Sequence, residues 1–226
     1  PASPARPGDG RGVDCAFHKD DSSLGQRQAA FRRQRQQGQR IPEDRVRDEV
    51  ERQRQQTLTQ MLADMPTRCD RGTKCNAQGY KVSWNGYKLH LDTADCGVPI
   101  AALLSSASMH DSRAAIPLSL ISAARVTSLY DVMDAAYCST VLHEHSRSLN
   151  HVPLIDHNPR GGTKEEFEPA DAIRFNERTV AERSNARLKG EFGGNTLRVQ
   201  GATKVMGHLM FGILALAADQ LMRLRQ

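Results

Sequence analysis

Arg178-Thr-Val-Ala-Glu182-Arg-Ser-Asn185-Ala-Arg-Leu-Lys189 is the stretch on which the reading of this 226-residue chain turns. At about 100° per residue on an α-helix, Phe175, Arg178, Glu182, Asn185 and Lys189 fall within roughly 100° of one another and make one face. A carboxylate held there between two cations, with an amide beside it, is suited to sharing a metal ion and lying along a phosphate backbone. The same spacing also builds an ordinary solvated stripe laced with i,i+4 pairs such as Arg178 to Glu182. Spacing alone leaves both readings open.

Downstream, Lys204 to Leu224 is apolar on most faces, with His208 and Asp219 as interruptions. It reads as a buried helix packed on a sheet rather than a membrane span. Upstream, 160–172 is charged and contains Gly, as a loop before the Glu182 helix would be. Earlier still, Val126 to Asp134 is an apolar strand-like run ending on a carboxylate. A helix through His143 and a short strand from His151 to Asp156 follow it. Strand, helix, strand with short joints implies a parallel pair with a right-handed crossover.

Between Thr67 and Ser105 the period is that of strands. A short segment around Cys69-Asp70 leads through turn chemistry at Asn76-Ala-Gln-Gly79 into an extended run from Tyr80 to Ala94. That run is expected to break at Asn85-Gly86, a strong turn dipeptide. Asp95-Cys-Gly97 turns the chain into the apolar strand Val98 to Leu104, and Asp111-Ser112 reads as the N-cap of a helix to Ala124. Three meandering antiparallel strands, then helix, strand, helix, strand, helix, is the element order of a ribonuclease H-like α/β fold. Ligands of such sheets gather at the carboxyl ends of the parallel strands, where Asp134 sits.

The N-terminal part reads differently. Residues 1 to about 40 are rich in Pro, Gly, Arg and Gln and short of aliphatics, so they cannot bury enough surface to offset the cost of ordering. Arg27, Arg32, Arg33, Arg35 and Arg40 make this a basic, disordered or partly helical arm that suits phosphate contact. From Pro42 a sparse apolar stripe of Val46, Val50, Leu58, Met61 and Leu62 predicts a lead-in helix ended by Pro66. The expected organisation is an arm and lead-in helix over 1–62 and one domain over 63–226. A net charge of +5 and a pI near 9.1 permit an anionic partner such as nucleic acid. Five cysteines without short paired spacing, Cys69 and Cys75 being nearest, argue against a disulfide scaffold or a structural zinc site and fit a reducing cytoplasm. The chain opens on Pro, with no leader of basic then apolar residues, and is expected to begin partway into a longer reading frame.

Arg, three residues, Glu, six residues, Lys resembles the signature of the DDE transposases of bacterial insertion sequences, in which a Tyr precedes the Arg by three positions. Here that position is Phe175, which keeps the ring and loses the hydroxyl. Arg68-Cys-Asp70-Arg-Gly-Thr-Lys74, Trp84-Asn-Gly-Tyr-Lys-Leu-His-Leu-Asp92 and Met133-Asp134-Ala-Ala-Tyr137 resemble, in order, the family's first-aspartate, second-strand and second-aspartate segments. The resemblance runs from about 42 to 225. It implies a DDE triad of Asp70, Asp134 and Glu182 holding Mg2+ or Mn2+, with two ions in the catalytic arrangement. It also implies Arg178 and Lys189 on the DNA backbone or steadying Glu182, and Asn185 and Lys74 as further DNA contacts. The partner is double-stranded DNA, at the element's ends and at the target. The setting is the bacterial cytoplasm at the nucleoid, with a homo-oligomer on DNA and no membrane.

The chemistry explains the residue types. In-line phosphodiester cleavage and transfer uses two divalent ions roughly 3.5–4 Å apart, one at the attacking and one at the leaving oxygen. Magnesium is hard and takes carboxylate oxygens. Asp70 and Asp92 compete for the first-strand place. If the Asp92 strand came first the meander would be one strand short, so strand counting and the resemblance both favour Asp70. Two other readings stand beside this one: a silent transposase remnant that only binds DNA, and another nuclease of the same fold. The Arg-Glu-Lys helix predicts strand joining, which separates the transposase from the nuclease.

Overall fold

The computed structural model describes residues 42–75, 78–159 and 163–225; the basic arm with Arg27, Arg32, Arg33, Arg35 and Arg40 lies outside them. The expected lead-in helix is two: α1 (Pro42–Gln53) and α2 (Leu58–Asp64). Thr57 is the reason for the split, because its hydroxyl accepts the Gln60 amide while Gln60 reaches back to the Thr57 amide, a capping box that starts a fresh helix.

The meander consists of β1 (Asp70–Cys75), β2 (Lys81–Thr93) and β3 (Pro99–Ser106), all antiparallel. The expected break at Asn85-Gly86 does not occur. β2 runs through it, paired with β1 over Lys81 to Gly86 and with β3 from Tyr87 onward. Gly86, at φ 156°, sits where β2 changes partner. The β2–β3 register shifts between Asp92 and Thr93, an irregularity of the kind that re-aims a side chain.

Helix α3 (Ser112–Ala123) follows, but Asp111 does not cap it with its side chain. That carboxylate pairs with Lys88 at 3.0 Å instead. Then β4 (Tyr130–Met133), a 3-10 turn (Ala135–Tyr137), α4 (Thr140–Ser148) and β5 (Val152–Ile155) form the expected parallel unit, with Tyr130 opposite Val152 and Met133 opposite Ile155. The result is the expected α/β class: a three-stranded antiparallel sheet and a two-stranded parallel sheet flanked by helices, compatible with a ribonuclease H-like fold. Among the described residues no ladder joins the two sheets.

The segment read as a loop over 160–172 ends in a helix, α5 (Pro169–Phe175), opened by Pro169 in its first turn. Phe175 therefore closes α5, and Arg178 to Lys189 belong to α6 (Arg178–Gly190). The expectation that all five side chains share one helix is corrected for Phe175, although the Arg178 guanidinium still lies 5.4 Å from its ring centre.

Val180, Ser184 and Leu188 are the buried side of α6. α7 (Ala202–Arg223) lays Val205, Leu209, Ile213 and Leu216 inward, Leu216 being fully buried, against the β2–β3 sheet and α6. Its other side is open: Phe211, Leu214, Leu221 and Met222 are 77%, 60%, 52% and 67% exposed. Expecting this helix to be buried was right for one face only. By length and composition α7 is also apolar enough to cross a membrane, yet its inner face forms part of the core. A separate core cluster joins Val50, Met61, Ile116, Leu142 and Ile155 from α1, α2, α3, α4 and β5.

Candidate active site

A cleft of about 640 Å³ opens between the end of β2, the β4 strand with the turn after it, and the α5–α6 pair. Asp134 reaches it because β4 delivers its carboxylate to the strand's C-terminal end. There Oδ1 accepts the Ala136 amide at 3.0 Å and caps the 3-10 turn. Glu182 reaches the same cleft from α6, one turn beyond Arg178, whose guanidinium donates to Oε1 at 2.6 Å. Asn185, a further turn along in sequence, also lines it. Four of the residues singled out by sequence are thus brought together: Asp134, Arg178, Glu182 and Asn185.

Asp70 is placed elsewhere. It opens β1, and its carboxylate accepts the Ser108 amide at 2.9 Å and the Ser108 hydroxyl, so those bonds hold its pKa below the usual 3.8. It is not among the residues that line the cleft, and neither are Lys74 and Lys189. Lys74 stands on exposed β1 opposite Val82, and Lys189 is exposed in the last turn of α6.

Asp92 is the carboxylate that sequence reasoning ranked second and that the cleft contains. It sits at the β2 register shift, and the Ser122 hydroxyl of α3 donates to its Oδ2. Burial pushes its pKa above 3.8, the Ser122 bond opposes this, and Asp131 nearby adds to it. Asp131, on β4, is locked to His151, just ahead of β5, at 3.0 Å, and its second oxygen is buried without a partner. Arg174 also lines the cleft, its guanidinium 4.7 Å above the Tyr130 ring. The deep Tyr137 hydroxyl has its pKa raised by burial. Sequence reasoning weighed Asp92 but set it second, since its address depends on the register shift in β2, and no local signal marks Arg174.

The donor chemistry around the cleft is oxygen: carboxylates of Asp92, Asp95, Asp131, Asp134, Glu177 and Glu182 and the amide oxygen of Asn185, with cationic Arg174 and Arg178 alongside. Such a set fits a hard divalent cation and a phosphate, not a thiophilic metal. Among the described residues no three acidic, His or Cys groups already converge on one point.

A family model for the transposase DDE domain matches residues 65–218, well over half of the chain. The chain belongs to the transposase DDE domain family. The match begins ahead of Asp70 and ends inside α7, so it spans both sheets, the cleft and the α6 helix. Comparison with curated proteins and with solved structures finds no match. Membership makes this a transposase domain of a DNA-acting enzyme family that generally depends on divalent metal.

Proposed function

We infer that this DDE transposase domain cuts DNA at the ends of a bacterial insertion sequence and joins the freed 3′ ends to target DNA, working in the cytoplasm at the nucleoid. The observation that carries the reading is that Asp134 at the end of β4 and Glu182 on α6, far apart in sequence, line one cleft with Arg178 and Asn185. Bound there, Mg2+ or Mn2+ would supply Lewis-acid activation of the attacking oxygen and charge neutralisation at phosphorus. Asp134 and Glu182 would hold it, together with a third carboxylate.

Two residues contend for that third place. The family resemblance favours Asp70, and the lining of the cleft favours Asp92. The chain's own groups do the rest. Arg178 now occupies Glu182, so on DNA its guanidinium is positioned to shift to a backbone phosphate, freeing the carboxylate. Asn185 and Arg174 line the path beside it, while Lys189 and Lys74 stand on exposed flanks available to more distant phosphates.

The test is end cleavage and strand transfer on DNA carrying the element's ends, with magnesium or manganese. Asp134→Ala and Glu182→Gln should each lose the reaction by about 10³-fold or more, as removal of several kcal/mol of charge stabilisation predicts. Asp70→Asn and Asp92→Asn, assayed side by side, assign the third ligand, because only the ligand's loss should be as deep and should be eased by manganese. Hydrolysis without joining would indicate a nuclease rather than a transposase. The placement of Asp70 outside the cleft also favours a second reading, a silent DNA-binding remnant. Salt-sensitive DNA binding with no metal-dependent cleavage by the full chain would establish that instead.

A further inference from the structure

The turn that joins β2 to β3 is held by side chains from two helices. Asp92, Thr93, Ala94 and Asp95 line the cleft along the end of β2, and Cys96 and Gly97 follow directly. The turn is closed on itself: the Gly97 amide donates to the Ala94 carbonyl at 2.8 Å, and the Ala94 amide to the Val98 carbonyl at 2.9 Å. Its two remaining carbonyls are taken from outside. That of Cys96 accepts the side-chain amide of Gln220 on α7 at 2.7 Å, and that of Gly97 accepts the hydroxyl of Ser184 on α6 at 3.1 Å. Ser184 is buried two residues past Glu182. Gly97 permits the approach, since its φ is 79° and a Cβ there would stand 3.4 Å from Gln220 Nε2 and 3.5 Å from Ser184 Oγ. Gln220 is tied at its other end too. Its Oε1 accepts Arg187 of α6 at 2.9 Å, and the same guanidinium donates to Asp219 and Glu191. A guanidinium only donates and a carbonyl only accepts, so the side chain between them must offer an acceptor to one and a donor to the other. An amide does both; a carboxylate or an apolar group does not.

We propose that Gln220 and Ser184 are positioning residues of the cleft: they clamp the β2–β3 turn to α6 and α7 and so set where Asp92 stands relative to Glu182. The inference rests on the reading that Asp134 and Glu182 hold the metal, and it takes Asp92 as the third carboxylate. Neither Ser184 nor Gln220 lines the cleft, so both act through the backbone of the turn. The β2–β3 register shifts between Asp92 and Thr93, which leaves the last residues of β2 dependent on the turn for their position. Carboxylates from a strand and a helix that share one small, hard cation have little latitude in their separation, because Mg2+ demands near-ideal octahedral geometry. Partners just outside the ligands commonly govern that fit, and their loss costs about 10- to 100-fold in metal affinity or activity.

Gln220→Glu separates a clamp from plain helix packing. The glutamate keeps an acceptor for Arg187, and with it the tie between α6 and α7, but sets a carboxylate oxygen against the Cys96 carbonyl. The measurements are Mn2+ binding to the full chain, read from the electron paramagnetic resonance of free Mn2+, and amide hydrogen exchange in the turn; neither needs turnover. Gln220→Glu and Ser184→Ala should each weaken Mn2+ binding about tenfold or more and speed exchange at Ala94 and Gly97. The unfolding midpoint of Gln220→Glu should stay within about 3 °C of wild type, and Asp92→Asn and Asp134→Ala should bind Mn2+ at least as weakly. Unchanged Mn2+ affinity in Gln220→Glu, with Asp92→Asn and Asp134→Ala impaired, overturns the clamp and leaves the active-site reading standing. Wild-type affinity in Asp92→Asn overturns it by placing the third ligand elsewhere. A Gln220→Glu chain that melts early, with exchange raised throughout, overturns it by making the residue merely structural. Unchanged affinity in Asp134→Ala, or no Mn2+ binding by the wild-type chain, overturns the active-site reading itself and the clamp with it.

Discussion

Two alanine substitutions in α7, five residues apart, should move stability in opposite directions. A Cβ built on Gly212 meets the Phe192 carbonyl oxygen at 2.5 Å and the Leu188 Cδ1 at 3.0 Å, where ordinary contact is 3.4–4 Å. The obstacle is backbone oxygen just past the end of α6, so α7 must back away from it by several tenths of an ångström. A Cβ on Gly207 meets nothing within 4 Å. Replacing a helical Gly with Ala in open space gains about 1 kcal/mol of helix propensity. Overpacking costs typically 1–3 kcal/mol. Gly207→Ala should therefore stabilise by about 1 kcal/mol, raising Tm by roughly 2–4 °C for a domain of this size. Gly212→Ala should lose up to about 2 kcal/mol after the propensity gain is counted. Urea and thermal denaturation followed by circular dichroism measure both. Because α6 carries Arg178 and Glu182, the Gly212 variant should also disturb the cleft. Equal stabilisation by both alanines would refute the close α6–α7 approach on which this rests.

Three further outcomes are expected. Asp92 has a folded-state pKa raised above 3.8 by burial, so the folded chain holds that proton more tightly than the unfolded one, and stability falls as pH rises through the interval above 3.8. Asp92→Asn should be more stable than wild type at pH 7, with the difference vanishing near pH 3, by urea denaturation at several pH values. His90, buried against the Ser105 hydroxyl at 2.8 Å, has its pKa lowered by burial from 6.5 to about 4. The unfolded chain therefore binds the proton first, and stability on the order of 3 kcal/mol is present above pH 6.5 and lost on acidification toward pH 4. His90→Gln should flatten that slope. Arg178→Ala breaks an exposed pair with Glu182 and should cost under ~1 kcal/mol in stability, while strand transfer falls tenfold or more; equal loss in both would mean that the arginine is merely structural.

The α6 face was legible in sequence because helical period and charge placement are local. So were the strand order of the meander and the β4–α4–β5 unit, each written in alternation and turn residues. Phe175 was placed on the wrong helix because Asn176 and Glu177 carry no breaker chemistry, and both keep right-handed helical dihedrals across the break. Asn85-Gly86 looked like a turn, but β2 has a partner on either side of that point, and paired strands hold it extended. α7 looked buried all round since composition cannot say which apolar face the core takes. Whether Asp70 or Asp92 faces the cleft depends on contacts 30 and more residues away, Ser108 for one and Ser122 for the other. No window of sequence holds both ends of such a contact.

The two halves of β2 do not share a fate. From Tyr87 onward Tyr87, Leu89 and Leu91 enter the core clusters, whereas among the described residues none of β1 and none of Lys81 to Gly86 does. The hairpin carrying Lys74 is held by ladder bonds and, at its root, by the close approach of Gly72 to Trp84 and the Ala107 carbonyl. Its amides should exchange with solvent long before those of Leu89 and Leu91.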